Sequence, residues 1–357
     1  MPEYERTVRV AAVQAEPAWL DLDAGIEKTL RLAAEAKEKG AELVAFPETW
    51  LPGYPWFLWL GSVAWQSQFI VKYAQNSLVL GEEHWNRLAE GVRALGLTVV
   101  LGYSEREGGS LYMGQAIISP EGRTLMTRRK LKPTHVERTQ FGEGDGSDVS
   151  VVDTPVGRVG ALNCWEHLQP LTKYAMYAQQ EQLHVAAWPS FCVMQDGAYA
   201  LGAEVNVSAS RVYAVEGQCF VLAPCGVIGD AAHAAFGGDP ERDALLGRGG
   251  GHARIFGPDG RSLAEPLAPE EEGIIVADLD YAAILAAKNA ADPVGHYSRP
   301  DVFTLQVRRE GRLPKVLEVP LSGEAGAAAG APAGAPVGVA AGTEAGEELA
   351  GLLAAAE

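Results

Sequence analysis

Short apolar runs with strand spacing alternate with helix-length amphipathic stretches along most of this chain, and no other feature limits its fold as much. Residues 7–14 are a β-rich run, and residues 22–39 place apolar side chains at helical spacing behind Asp21 or Asp23 as a cap. Gly40 stops that helix, and residues 43–46 form the next strand. Helical patterns over 64–76 and 82–95 lead to strands over 97–104, 111–119 and 124–127, the last two joined by Pro120-Glu121-Gly122. A strand over 158–163 precedes a helix over 168–180; a strand over 185–189, a long helix over 198–216 and a strand over 218–223 follow. Residues 253–256 and 274–278, with Gly257-Pro258-Asp259-Gly260 between them, read as a hairpin-like close. This α/β mixture suits two stacked sheets covered by helices.

The alternation stops near residue 321. Residues 322–357 are mainly Ala, Gly and Pro with five Glu and no Lys or Arg, so ordering them costs more entropy than their side chains return by burial. We read 1–321 as one folded domain and 322–357 as a disordered, solubilising tail. A chain of 357 residues can hide roughly three quarters of its unfolded surface, enough for a large core. Its net charge of −17 argues against a nucleic-acid partner, which needs a basic face. No run reaches the roughly 18 apolar residues of a membrane span, and Met1-Pro2-Glu3-Tyr4-Glu5-Arg6 lacks the layout of an export signal. Four cysteines, at 164, 192, 219 and 225, are too few for a disulfide framework and fit a reduced, cytoplasmic protein.

Three of the strand-like runs end in chemistry. Glu48 follows Val44-Ala45-Phe46-Pro47, Lys130 opens Lys130-Leu131-Lys132-Pro133, and Cys164 opens Cys164-Trp165-Glu166-His167. A thiol, a carboxylate and an amine are the nucleophile, base and charge stabiliser of a covalent hydrolase. An ordinary cysteine is only about 3% thiolate at neutral pH, so it needs a proton acceptor and a favourable field. A strand-to-helix turn supplies part of that field through free N–H groups and the helix dipole. His167 is better placed to orient this turn than to act as the base. No second Cys/His pair stands at ligand spacing, so no metal is expected. Gly249-Gly250-Gly251 lacks a following helix or Lys-Ser/Thr and reads as a loop, so no cofactor is expected either.

These segments resemble the glutamate, lysine and cysteine regions of the nitrilase superfamily of carbon–nitrogen hydrolases. Cys164-Trp165-Glu166-His167 and Phe46-Pro47-Glu48-Thr49-Trp50-Leu51-Pro52-Gly53-Tyr54-Pro55 resemble its nitrilase branch. So do Lys130-Leu131-Lys132-Pro133-Thr134-His135-Val136-Glu137-Arg138, where Glu137 corresponds to the family's second active-site glutamate, and His296-Tyr297-Ser298-Arg299-Pro300-Asp301-Val302-Phe303. The resemblance runs in family order from about residue 7 to about 305. It implies an α-β-β-α four-layer sandwich that hydrolyses a nitrile to a carboxylic acid and ammonia through a thioimidate and a thioester. Glu48 would be the base, Cys164 the nucleophile, and Lys130 with the Trp165 N–H the charge stabilisers. Glu137 would position Lys130, hold substrate or share proton transfer. Tyr54, Thr134, Trp165, Trp188 and Pro189 are the expected substrate contacts, while for the cluster of Trp56, Trp59, Trp65 and Phe57 core packing is at least as good an explanation as substrate contact. The resemblance also implies a dimer or larger assembly, with spirals in the family, and a bridging role for residues 296–303. An amidase or carbamoylase uses the same Glu-Lys-Cys set, and Trp165-Glu166-His167 argues against it; a cyanide-hydrating enzyme shares the nitrilase motifs; an inactive filament-forming scaffold would have lost a Glu, Lys or Cys that this chain keeps.

Overall fold

Val and Ala dominate Thr7–Ala15 (β1), which is buried from Val10 onward, as a central strand requires. In the computed structural model, which describes residues 4–193 and 198–309, it begins a sheet continued by β2 (Leu43–Ala45), β3 (Thr98–Glu107), β4 (Ser110–Ile118) and β5 (Thr124–Arg129). A two-residue β6 (Phe141–Gly142) pairs with β4. The second sheet contains β7 (Val151–Thr154), β8 (Gly157–Asn163), β9 (Leu183–Ala187) and β10 (Phe220–Ala223), hydrogen-bonded in that order. Of the remaining strands, β11 (Cys225–Gly226) joins β1, β12 (Arg254–Phe256) joins β10, and β13 (Gly273–Asp280) runs antiparallel to β1.

The two-residue period of the strands sorts the layers. On β1, Ala11 and Val13 pack with α1 (Leu22–Glu38) and with α3 (Glu83–Leu95), whereas Val8, Val10 and Ala12 pack against the second sheet. The far face of that sheet meets α4 (Pro170–Tyr177) and α5 (Ala203–Gly217) through Met176, Tyr177, Tyr213 and Ala214. The four layers are therefore α-β-β-α, as expected. Asp21 caps α1, its side chain accepting from the Ala24 N–H at 3.0 Å, and Gly96 closes α3 in the left-handed conformation. The helix Val63–Gln75 (α2) lies where the sequence pattern placed it.

Other expectations need correction. Residues 253–256 and 274–278 are not a hairpin, because they belong to different sheets. The connection between them is much longer than the two to five residues, roughly, of a hairpin loop. The chain instead turns back locally, the Leu263 N–H donating to the Ile255 carbonyl, and then crosses to pair Thr7 with Asp280. The long helix starts at Ala203 and not at 198, after a 3₁₀ turn over Tyr199–Leu201. Three short helices, α6 (Asp230–Phe236), α7 (Pro240–Leu246) and α8 (Ala282–Ala290), carried too little periodicity to be marked. The expected tail, 322–357, lies outside the described residues. Among the described residues, no helix is long and apolar enough to cross a membrane.

Candidate active site

Each chemistry-bearing residue lies just beyond the end of a strand: Glu48 after β2, Lys130 after β5 and Cys164 after β8. Each of the three turns also contains a non-glycine residue at positive φ, namely Thr49 (48°), His135 (47°) and Cys164 (47°). Such conformations persist only where surrounding contacts over-determine them. The Glu48 turn lies against Gly102 of β3, where an added Cβ would stand 2.2 Å from the Pro47 carbonyl oxygen. A side chain at 102 would push Glu48 out of place.

Lys130 is the centre of the site. Its Nζ donates to Glu48 Oε1 at 3.0 Å and to Glu137 Oε2 at 2.7 Å, and all three residues are buried. Burial alone would lower the lysine's pKa, but the two carboxylates, Glu137 first, outweigh it and keep the amine charged. Burial raises Glu48, Lys130 opposes that rise and favours the carboxylate, and the Glu137 charge adds to it. Glu48 Oε2 is buried and has no hydrogen-bond partner among the described residues. Glu137 is itself held by the Tyr54 hydroxyl at 2.7 Å and the Thr134 N–H at 2.5 Å. Trp59 in turn donates to the Tyr54 oxygen at 3.2 Å.

Cys164 starts a 3₁₀ turn (Cys164–Leu168), and α4 begins only at Pro170. The expected helix dipole is thus reduced to a single turn, in which the Trp165 N–H is directed at the sulfur. Burial raises the thiol well above its ordinary range, the charge on Glu48 adds to this, and Lys130 and the Trp165 N–H oppose it. The resting group is a thiol, so attack requires a proton acceptor.

Tyr54, Thr134, Glu137, Cys164, Trp165 and Pro189 line one cavity. Trp56 and Trp59 line it too, whereas Phe57 and Trp65 pack on Phe69, so the aromatic cluster divides between pocket and core. Trp188 is not among the lining residues. It is buried behind them, bonded to Ser210 at 2.9 Å, and its carbonyl accepts the Glu48 N–H at 3.4 Å. Ser190 and Phe191, from the 188–192 stretch that the sequence already pointed to, complete the wall with Val193, Leu201 and Asn206, which it did not mark.

A buried ion pair joins two of the turns. Arg128 binds Glu166 through both nitrogens of its fork, at 2.9 and 2.6 Å. Glu166 also accepts the N–H of Leu131 at 3.0 Å and of Asn163 at 2.8 Å, tying the lysine's segment to the cysteine's. Removing one member of such a pair typically costs about 3–5 kcal/mol. Strand parity was the available signal: Met126, Arg128 and Lys130 share a face, and Met126 lies in the core between the sheets. A charged residue on that face needs a buried partner.

A four-layer sandwich that buries Glu48, Lys130 and Glu137 together, with Cys164 on the cavity that Glu137 also lines, has the parts of a covalent hydrolase. The family model described as carbon-nitrogen hydrolase matches residues 9–289, and the chain belongs to that family. A nitrilase of Pseudomonas syringae pv. syringae is 57% identical over 313 residues, covering 88% of this chain and 93% of that protein. An aliphatic nitrilase of Rhodococcus rhodochrous is 52% identical, covering 88% and 86%. An arylacetone-specific nitrilase of Alcaligenes faecalis is 51% identical, covering 85% of each. Among solved structures, the C. elegans NitFhit protein shares the fold with a TM-score of 0.65 at 20% identity, covering 85% of this chain and 67% of that one.

Proposed function

We propose that this protein is a nitrilase that converts an organic nitrile to the carboxylic acid and ammonia. The observation that carries the reading is the arrangement around Lys130: an ammonium fixed between two buried carboxylates, one of which keeps an oxygen without a partner among the described residues. Relatives at 51–57% identity, all named nitrilases, support it. Glu48 takes the thiol proton as Cys164 sulfur bonds to the nitrile carbon; one C≡N electron pair moves to nitrogen, which takes up the proton from Glu48. Lys130 and the Trp165 N–H stabilise charge on that nitrogen. Water adds to the thioimidate carbon, the C–N bond breaks with loss of ammonia, and a second water hydrolyses the thioester, restoring the thiol. Glu137 holds Lys130 in place, through the Tyr54 and Thr134 bonds described above.

Trp56, Trp59, Trp165 and Phe191 in the cavity wall favour a flat apolar substituent, so aryl or arylaliphatic nitriles are the preferred class. Ammonia release from phenylacetonitrile, benzonitrile, a short aliphatic dinitrile, cyanide and phenylacetamide tests this directly. We expect phenylacetonitrile to turn over at least about tenfold faster than its amide. Hydrolysis of the amide alone would make the protein an amidase, and hydrolysis of cyanide alone a cyanide-hydrating enzyme.

We also propose that 1–321 is the functional domain, that the protein is cytoplasmic, consistent with four unpaired thiols, and that it self-associates. Tyr297, Val302 and Phe303 are 72%, 54% and 79% exposed, an apolar segment suited to a neighbouring subunit. Truncation before His296 is expected to lower both particle size and activity, and truncation after Leu321 to change neither. Light scattering reads the outcome: an unchanged oligomer after loss of 296–357 would remove the bridging role.

A further inference from the structure

A chain of buried polar groups leads from the backbone of Cys164 to the α5 side of the second sheet, and the steps above make no use of it. His167 Nδ1 lies 2.6 Å from the Cys164 carbonyl oxygen, His167 Nε2 lies 2.8 Å from His184 Nε2, and His184 Nδ1 lies 2.7 Å from Glu181 Oε1. Tyr213 donates its hydroxyl to Glu181 Oε2 at 2.7 Å and stacks on His184 with ring centroids 3.8 Å apart. All four side chains are buried.

Proton counting fixes the state of this chain. A carbonyl oxygen only accepts, so His167 Nδ1 must carry hydrogen. One hydrogen must stand between the two Nε2 atoms and another between His184 Nδ1 and Glu181, because facing lone pairs at these distances repel. The three contacts therefore require three protons, whereas two neutral imidazoles and a carboxylate supply two. The third either completes an imidazolium or sits on Glu181. Burial favours the arrangement without separated charge. It also pushes Glu181 up to about 8 and holds both histidines well below their usual range.

The groups facing the chain do not reverse this. Arg128 and Glu166 are already paired with each other, Lys173 and the Tyr177 hydroxyl bond to Glu216, and Cys219 is a buried thiol whose pKa burial raises. Trp188 contributes only its ring against His167.

We propose that Glu181 is a protonated, hydrogen-donating positioning residue that, through His184 and His167, fixes a donor on the Cys164 carbonyl and holds the nucleophile at its φ of 47°. With three protons every contact is a hydrogen bond. With two, one contact becomes repulsive and the carbonyl can lose its donor. Alkaline loss of activity then includes a step set by Glu181, far from the reacting atoms.

Glu181→Gln is the discriminating variant, since an amide N–H can donate to His184 while its oxygen accepts from Tyr213, and it cannot ionise. The infrared difference between parent and Glu181→Gln at neutral pH should show loss of an un-ionised carboxylic acid carbonyl band. This readout needs no substrate, so it succeeds or fails independently of the nitrile reading on which the activity arms rest. We expect Glu181→Gln to keep kcat within about threefold of the parent and to move its alkaline decline to higher pH. Glu181→Leu leaves His184 Nδ1 without a donor and is expected to lose at least about tenfold in kcat with little change in KM. Loss of carboxylate bands instead of the acid band would overturn the proposal. So would a Gln variant as impaired as the Leu variant, or a Leu variant as active as the parent.

Discussion

Replacing Cys164 with alanine is expected to cut nitrile hydrolysis at least about a thousandfold while leaving the protein folded. Cys164 lines the cavity and, in the proposed route, its sulfur is the bond-forming atom, so the variant loses that atom and not merely a contact. The fold should survive, because the turn is held by Glu166 on the Asn163 N–H and by His167 on the Cys164 carbonyl, neither of which involves the sulfur. Alanine also retains a Cβ, so the positive φ at this position becomes no harder to adopt. Circular dichroism and a melting curve check the fold, and ammonia release checks the rate. Activity within tenfold of the parent would show that Cys164 is not the nucleophile.

The second large effect concerns Lys130. Lys130→Arg keeps the charge but replaces a compact ammonium with a planar fork in a space where Nζ already sits 3.0 Å from one carboxylate and 2.7 Å from another. The guanidinium is larger than this gap and directs its hydrogens differently, so it should displace Glu48 or Glu137 from working position. We expect it to fail nearly as badly as Lys130→Ala, each by at least about a hundredfold in kcat/KM. In the alanine variant two buried carboxylates lose their shared cation, and at least one of them takes up a proton. Full kinetics on both variants decide the question. An arginine variant with most of the parent's activity would make Lys130 a source of charge and not an oriented group.

Much of this was legible in the chain, for physical reasons. Strands such as 7–14 and 111–119 declare themselves because half or more of their positions must be apolar, and Asp21 and Gly40 mark helix ends by chemistry that acts over three or four residues. Glu48, Lys130 and Cys164 stand out because polar residues ending apolar runs have little packing reason to be there. The hairpin expected at 253–278 failed because sheet membership is decided by tertiary contact and not by local pattern. The supporting networks were hidden for the same reason. Arg128 and Glu166 are separated by 38 positions, and nothing in either segment alone says that they meet. Glu181 and His184 are neighbours in sequence, yet reading them as a proton chain requires the ring of His167 from another segment. Trp188 illustrates a finer limit: the Trp188-Pro189 segment does reach the pocket, but the alternation of the chain there sends Pro189 to the cavity and Trp188 to the core.

The covalent route through Cys164 is tested most directly by quenching the enzyme in acid during turnover of phenylacetonitrile, digesting it and weighing the peptides. We expect the peptide containing Cys164 to carry the phenylacetyl group as a thioester, in an amount that rises within the first turnover and disappears when substrate is exhausted. The peptides containing Cys192, Cys219 and Cys225 should remain unmodified. Steady release of acid and ammonia with no adduct on Cys164 at any quench time, or an adduct formed at turnover rate on another residue, would contradict it.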